Sequence, residues 1–215
     1  MNVKTLYSIF QRSENRVGGG EGVIGIYGSL NAASMEKILT AMHDRCGLCE
    51  QSHLIDIGSG LGRPLLHAAY IHHVGTVSGI EIDSIKCTKA AVFSERVWRI
   101  LEERRLVSCQ HAVVPPIQCM DVAGLDSLDA THCYTFWEGM PPDTKRAIGR
   151  LFKSSPSMRT IAVVQRSMRF PVLTMSIEHG FGELHVIDSF PVRMTGGGCF
   201  FAYICTKDRR SSSHF

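Results

Sequence analysis

The chain of 215 residues carries a formal net charge of +3, is 44% hydrophobic and 20% charged, and contains 20 Gly and 8 Pro. That balance excludes a disordered polymer, a collagen-like repeat and a coiled coil, and it supplies enough apolar mass for one domain with a true core. The apolar runs are strand-sized, far below the roughly 20 residues that span a bilayer, so a soluble protein with no membrane association is expected. Nor does the opening Met-Asn-Val-Lys-Thr lead into a signal-peptide core, because Gln11, Arg12, Glu14 and Arg16 interrupt at once. The 8 cysteines lack the dense spacing of a secreted scaffold, which predicts free, mostly buried thiols.

In chain order, residues 1–25 end in Gly18-Gly19-Gly20-Glu21-Gly22 and are expected to be an irregular N-terminal arm. Asn31 caps a helical period through about Cys46, carried by Ala32, Met35, Ile38, Leu39 and Met42. His53–Ile57 is a short apolar strand feeding a glycine turn, and Pro64 opens a helix to about His73. Thr76–Ile80 is a second strand, after which Asp83 caps a long amphipathic helix to about Arg105. Ile117–Met120, Ala130–Tyr134 and Thr160–Val164 read as strands, with a helix at Asp143–Phe152. Glu183–Phe190 and Cys199–Thr206 form a closing β-rich pair around Gly196-Gly197-Gly198. This alternation predicts an α/β, Rossmann-like, doubly wound, mostly parallel sheet with an antiparallel edge. The domain is expected over residues 26–206, followed by a basic polar tail at 207–215.

The segment richest in chemistry is Asp56-Ile57-Gly58-Ser59-Gly60-Leu61-Gly62-Arg63-Pro64, between a strand and a helix. Its glycines permit a tight turn and close approach of the backbone to a ligand. An acid two residues before the first glycine would repel a pyrophosphate, and it suits the amino group and sulfonium of S-adenosylmethionine (SAM). A second acid, Glu81, ends the next strand about 20 residues after the glycines, where a carboxylate grips two ribose hydroxyls; Ile82 follows it. A dinucleotide site and a ligand-free glycine turn are the weaker readings. Arg63 adjoins the loop and is expected to face solvent or an internal acid. Asp121 is placed to contact the adenine amino group, with Val122 against the ring; the alternative role for Asp121 is a helix N-cap. Phe136 and Trp137 follow the fourth strand at the edge where an acceptor arrives, either walling an apolar channel or packing under the next helix. Cys46 and Cys49, with His43 and His53 nearby, are too sparse for a zinc site, and no metal is expected. The clusters Arg96/Arg99/Arg104/Arg105, Lys145/Arg146/Arg150/Lys153 and Lys207/Arg209/Arg210 read first as solvated faces and a tail.

Together these segments resemble the nucleosomal lysine methyltransferases named for disruptor of telomeric silencing, which use a Rossmann-like fold and not the SET fold. Ile26-Tyr27-Gly28 resembles the family's Tyr-Gly-Glu loop, Asp56–Gly62 its Asp-Leu-Gly-Ser-Gly-x-Gly motif, and Gly79-Ile80-Glu81 its ribose-binding strand end. Thr195-Gly196 is similar to its Trp-Thr-Gly segment, and Phe136 falls on its channel aromatic. The departures are Ser29 for Glu, Tyr134-Thr135 for Asn-Asn, Met194 for Trp and Phe201 for Tyr; such a compact chain is similar to the kinetoplastid branch. The resemblance implies SAM as cofactor, held by Tyr27 and Gly28 together with the loop, Glu81 and Asp121 sets. It implies a lysine channel of Phe136, Trp137 and Phe201, with Tyr27 and Thr135 orienting SAM and amine. It further implies a globular-domain lysine of histone H3 as acceptor, nucleosomal histone and DNA phosphates as partners, and the nucleus as location. The other readings are a methyltransferase of RNA or of a small molecule, and a non-catalytic SAM-binding scaffold. An RNA enzyme would more often carry Asn/Asp-Pro-Pro-Tyr/Phe where this chain has Tyr134-Thr135-Phe136-Trp137.

Overall fold

The computed structural model describes residues 1–24, 28–107 and 114–207. One seven-stranded sheet organises them, in the order β3-β2-β1-β4-β5-β7-β6. The strands are β1 (His53–Ile57), β2 (Thr76–Glu81), β3 (Ile117–Cys119), β4 (His132–Phe136), β5 (Thr160–Gln165), β6 (His185–Arg193) and β7 (Cys199–Thr206). β1 to β5 pair in parallel, while β7 runs antiparallel between β5 and β6. The expected doubly wound sheet with an antiparallel edge is therefore the observed one, and no helix among the described residues is long and apolar enough to cross a membrane.

The longer helices are α1 (Val3–Arg16), α2 (Ala32–Cys46), α3 (Arg63–Ile71), α4 (Ser84–Glu103) and α5 (Pro142–Ser154). Successive strand residues face opposite sides, which divides the core. Leu54, Val77, Tyr134, Ala162 and Ile204 pack with Met35, Ile38 and Leu39 of α2 and Leu65 of α3. Ile55, Ile80, Cys133, Ile161 and Tyr203 pack with Ile148, Leu151 and Phe152 of α5 on the other face. Central strands covered on both sides must be apolar throughout, as these are. β6 contains Pro191, which an edge strand tolerates because, among the described residues, no strand pairs with its outer side. β4 starts two residues later than its apolar pattern suggests and runs on to Phe136, which pairs with Val164.

The first residues depart from the expected irregular arm. Asn2 accepts a hydrogen bond from Thr5 N at 2.9 Å and caps α1, whose Leu6, Ile9, Phe10 and Ser13 are buried at helical spacing. Leu6, Ile9 and Phe10 form a third cluster with Leu61 and Leu66 of the α3 region and Phe93, Val97 and Leu101 of α4. Helical structure ends at Arg16, before the glycine run. Of the basic tail, residues 208–215 lie outside the described residues; Lys207 closes the domain, donating to the Ser155 carbonyl at 2.7 Å over the Phe152 ring.

α1 is thus core, and Phe10→Ala should lower unfolding free energy by about 3–5 kcal/mol. Denaturant unfolding with an unchanged m-value checks this; a loss below about 1 kcal/mol would return the segment to the status of an appendage.

Candidate active site

The glycine loop after β1 and the acid that ends β2 both lie at the carboxyl edge of the parallel strands, where open α/β sheets bind ligands. The loop after β1 turns through Gly58, Gly60 and Gly62, with φ of 79°, 52° and 77°, a region that a side chain resists. Gly58 N and Ser59 N donate to the Ile80 carbonyl at 2.8 and 3.1 Å, fastening the loop to β2. At the end of β2, Glu81 accepts from Gly60 N through Oε2 at 2.9 Å and from Asp83 N through Oε1 at 3.0 Å. Each oxygen keeps a lone pair for a ligand.

Asp83 does more than cap α4. Its Oδ1 accepts from Ile85 N and Lys86 N, and its Oδ2 accepts from Val23 N and Ile24 N, across 60 positions of sequence. Lys86 Nζ donates to the Ile24 carbonyl at 2.6 Å and Lys89 Nζ to that of Glu21 at 2.8 Å. A Cβ on Gly22 would strike the Asp83 carboxylate. The segment from Glu21 to Ile24 is therefore a strap tied down to the start of α4. Hydrogen bonding to Ile24, then Lys86, Val23 and Ile85, holds the Asp83 carboxyl down at about 2. The strap leads to Gly28-Ser29, where Thr195 N and Oγ1 both donate to the Ser29 carbonyl, at 2.9 and 3.2 Å. Leu30 and Met194 form a bridge beside them. The two segments read as family-like at opposite ends of the chain thus meet. Tyr27 lies outside the described residues.

Together these elements enclose a cavity of about 210 Å³ lined by Gly28, Asp56, Gly58, Ser59, Gly60, Arg63, Glu81, Ile82, Asp121, Val122 and Phe136. Asp56 is 2% exposed and its Oδ1 has no hydrogen-bond partner among the described residues; Ser59 Oγ is likewise unpartnered. Burial, then the charge of Glu81, raises the Asp56 carboxyl well above the ordinary carboxylate range. Asp121 Oδ1 accepts from Ala123 N at 2.9 Å, so this residue caps a short turn while lining the cavity, and Val122 is buried beside it. Arg63 faces an internal acid: it is 5% exposed, pairs with Glu14 of α1 at 3.0 Å, and lies against the rings of Tyr7 and Phe10. Gly62 does not line the cavity; its left-handed backbone precedes α3.

The expected channel needs correction. Phe136 lines the cavity and meets Phe200 edge-on, with ring centroids 5.2 Å apart. Phe201 points to the opposite face of the sheet and stacks on Tyr203 at 6.3 Å, because adjacent strand residues alternate. Trp137 is fully buried against His179 and Phe181, at 5.0 and 5.6 Å, and supports the segment after β5. Thr135 is also fully buried and donates its hydroxyl to the Ile57 carbonyl at 3.0 Å. In their place the cavity presents Tyr134 and Met140. Burial, then Asp56, keeps the Tyr134 phenol well above its usual range and hence neutral. Alternation along β4 is the sequence signal that admits only one of Phe136 and Trp137 to the cavity. The Cys46–Cys49 pair does not converge with histidines; among the described residues the metal-ligand type cluster is Glu36, His67 and His72.

Residues 22–105 match the family model described as histone methylation protein DOT1. That segment, which is less than half of the chain, is similar to the DOT1 family. The chain's fold is similar to that of a candidate RNA methyltransferase from Pyrococcus horikoshii (14% identity, 94% of this chain and 98% of that one, TM-score 0.59). It is similar also to a Thermoplasma acidophilum protein (12% identity, 97% and 100%, TM-score 0.60). A third similar structure is a variant of MtNAS crystallised with S-adenosylmethionine (10% identity, 94% and 73%, TM-score 0.56). No curated protein matches. The DOT1 segment carries the strap, the glycine loop and Glu81, and with the fold it makes this chain a SAM-dependent methyltransferase. The residues present fit that cofactor: Asp56 is a buried acid whose Oδ1 is unpartnered among the described residues and can face a cation, and Glu81 has lone pairs for ribose hydroxyls.

Two outcomes follow from the two acids. Glu81→Ala removes charge-assisted hydrogen bonds at a buried site and should weaken SAM binding by about a hundred-fold or more, read by calorimetry; an unchanged dissociation constant would sink the ribose assignment. For Asp83, the unfolded value is near 3.9 and the folded one about 2, so unfolding takes up a proton between them. The stabilisation it gives is complete above about pH 4 and lost as pH falls toward about 2. Unfolding midpoints of wild type and Asp83→Asn should therefore converge over that window, and parallel profiles would refute the assignment.

Proposed function

We propose that this chain is a protein-lysine N-methyltransferase acting on a core histone within nucleosomes, with a globular-domain lysine of histone H3 as acceptor. The observation that carries the reading is that the DOT1 segment, residues 22–105, supplies the strap, the glycine loop and Glu81, which are three sides of the cavity. When bound, SAM supplies an electrophilic methyl group, and transfer to a neutral amine leaves S-adenosylhomocysteine. The protein's share is placement. The strap and loop fix the donor, while Phe136, backed by Phe200, and Met140 give the acceptor an apolar approach. An apolar wall disfavours a lysine ammonium, so the amine arrives with its proton already lost to solvent. Little covalent help is required, and positioning provides most of the rate.

The approach is bordered by the segment that follows β5, anchored at the same edge where Arg166 N donates to Glu138 Oε2 at 3.1 Å. It exposes Phe170, Leu173 and Ile177 next to Arg169, a surface suited to a protein partner. Arg96, Arg104 and Arg105 on and after α4 would then meet DNA phosphates, making affinity steeply salt-dependent. An enzyme with this acceptor would act in the nucleus. RNA is the rival acceptor, because the Pyrococcus horikoshii neighbour is described as a candidate RNA methyltransferase.

The test is transfer of labelled methyl from SAM to nucleosomes, free histones and total RNA in parallel, with the product mapped by mass spectrometry. Label on one histone H3 lysine, strongest with intact nucleosomes, is the expected result; label on RNA alone would overturn it. Phe136→Ala should lower kcat by about a hundred-fold while the dissociation constant of SAM moves by less than about three-fold.

A further inference from the structure

On the α2–α3 side of the sheet, away from the cofactor loop, three metal-ligand side chains converge. His67 Nε2 lies 2.6 Å from Glu36 Oε2, and His72 Nε2 lies 3.1 Å from the same oxygen. All three ligand atoms fall within 4.8 Å of one another. We infer that Glu36, His67 and His72 form a binding site for a divalent transition-metal ion of the zinc class. Two imidazoles and one carboxylate are a donor set for such an ion, three protein ligands leaving a fourth position for water.

The surroundings support an ion more than a chance cluster. His67 is fully buried, and its second ring nitrogen, Nδ1, is 3.1 Å from the Tyr7 hydroxyl. A ligating histidine ordinarily has its other nitrogen held in this way, which fixes ring orientation and tautomer. The Tyr7 hydroxyl both donates and accepts, so His67 converts without an orphaned nitrogen. Without metal, Nε2–H of His67 donates to Glu36 and Nδ1 accepts from Tyr7. With metal, the Nε2 lone pair binds the ion, the proton resides on Nδ1, and Nδ1–H donates to Tyr7. No net proton is gained or lost at His67. Ligands about 2.0–2.1 Å from an ion lie farther apart than the present 2.6 Å contact, so one must withdraw. Glu36 is the one able to do so: its side chain is 36% exposed, against 0% for His67 and 11% for His72. The same exposure gives water access to the open position. A bound ion would tie α2 to α3, with α1 held through Tyr7. Tyr7 also lies against Arg63, one turn before His67 on α3 and a wall of the cofactor cavity.

The experiment titrates the full chain, stripped with a chelator, with Co²⁺ and then Zn²⁺, following absorption and melting temperature. The expected result is one equivalent of Co²⁺ with ligand-field bands and no sulfur-to-metal charge-transfer band, displaced by Zn²⁺, with a rise in melting temperature. His72→Ala and Glu36→Gln should each weaken binding by about ten-fold or more, and Tyr7→Phe, which keeps the ring and removes the hydroxyl, by about ten-fold as well. Circular dichroism of each variant separates lost ligands from lost folding, and His67, wholly buried, is left unaltered. Binding that the His72 and Glu36 variants do not affect, a charge-transfer band abolished by Cys49→Ser, or no uptake of either ion would each overturn the site.

Discussion

A single carboxylate, that of Asp83, closes the cofactor side of the molecule by accepting backbone N–H groups from two segments far apart in sequence. Ile85 and Lys86 begin α4, and Val23 and Ile24 belong to the strap. The amides at a helix start need acceptors in any case, and the strap gains its acceptor from a side chain that the helix already fixes. Two residues earlier, Glu81 takes Gly60 N and Asp83 N. The glycine loop, the end of β2 and the strap are thus one hydrogen-bonded unit, and the cavity is defined by how these backbones are held together.

The second support comes from the start of the chain. Arg63 adjoins the glycine loop, and a buried guanidinium without a partner would be costly. Glu14 supplies the charge, and Tyr7 and Phe10 supply ring faces, all from α1. The first helix therefore acts at the site without touching the ligand cavity. On the opposite flank Trp137 does comparable work, filling the space beneath the segment after β5 through His179 and Phe181.

Much of this was legible in the residues themselves. Asp56, the glycines and Glu81 are close in sequence and obey local rules of turn and strand, so their convergence needed no tertiary information. Asp83 as a cap followed from the same reasoning; its hold on Val23 and Ile24 did not, because contacts across 60 positions leave no local pattern. α1 was hidden because its exposed positions are polar and a glycine run adjoins it, although Leu6, Ile9, Phe10 and Ser13 carry the helical spacing. Phe201 and Thr135 stand where the resemblance implies channel residues, but Phe200 and Tyr134 take that face of the sheet. That is set by strand register, which composition does not reveal.

The acceptor-side wall depends on that register in a way that concerns number more than chemistry. Phe136 and Phe200 come from strands that are not neighbours, with β5 between β4 and β7. The pairing of Gln165 with Phe201 and of Val164 with Ala202 decides that Phe200 shares a side with Phe136. Sliding β7 by one residue would exchange Phe200 for Phe201 with no side chain altered, and sliding it by two would restore the original side. Which ring backs Phe136 is thus encoded as odd or even in the last hairpin. A shift of two keeps the side yet brings Ala202 or Gly198 into the place of Phe200, so the backing ring requires this one register.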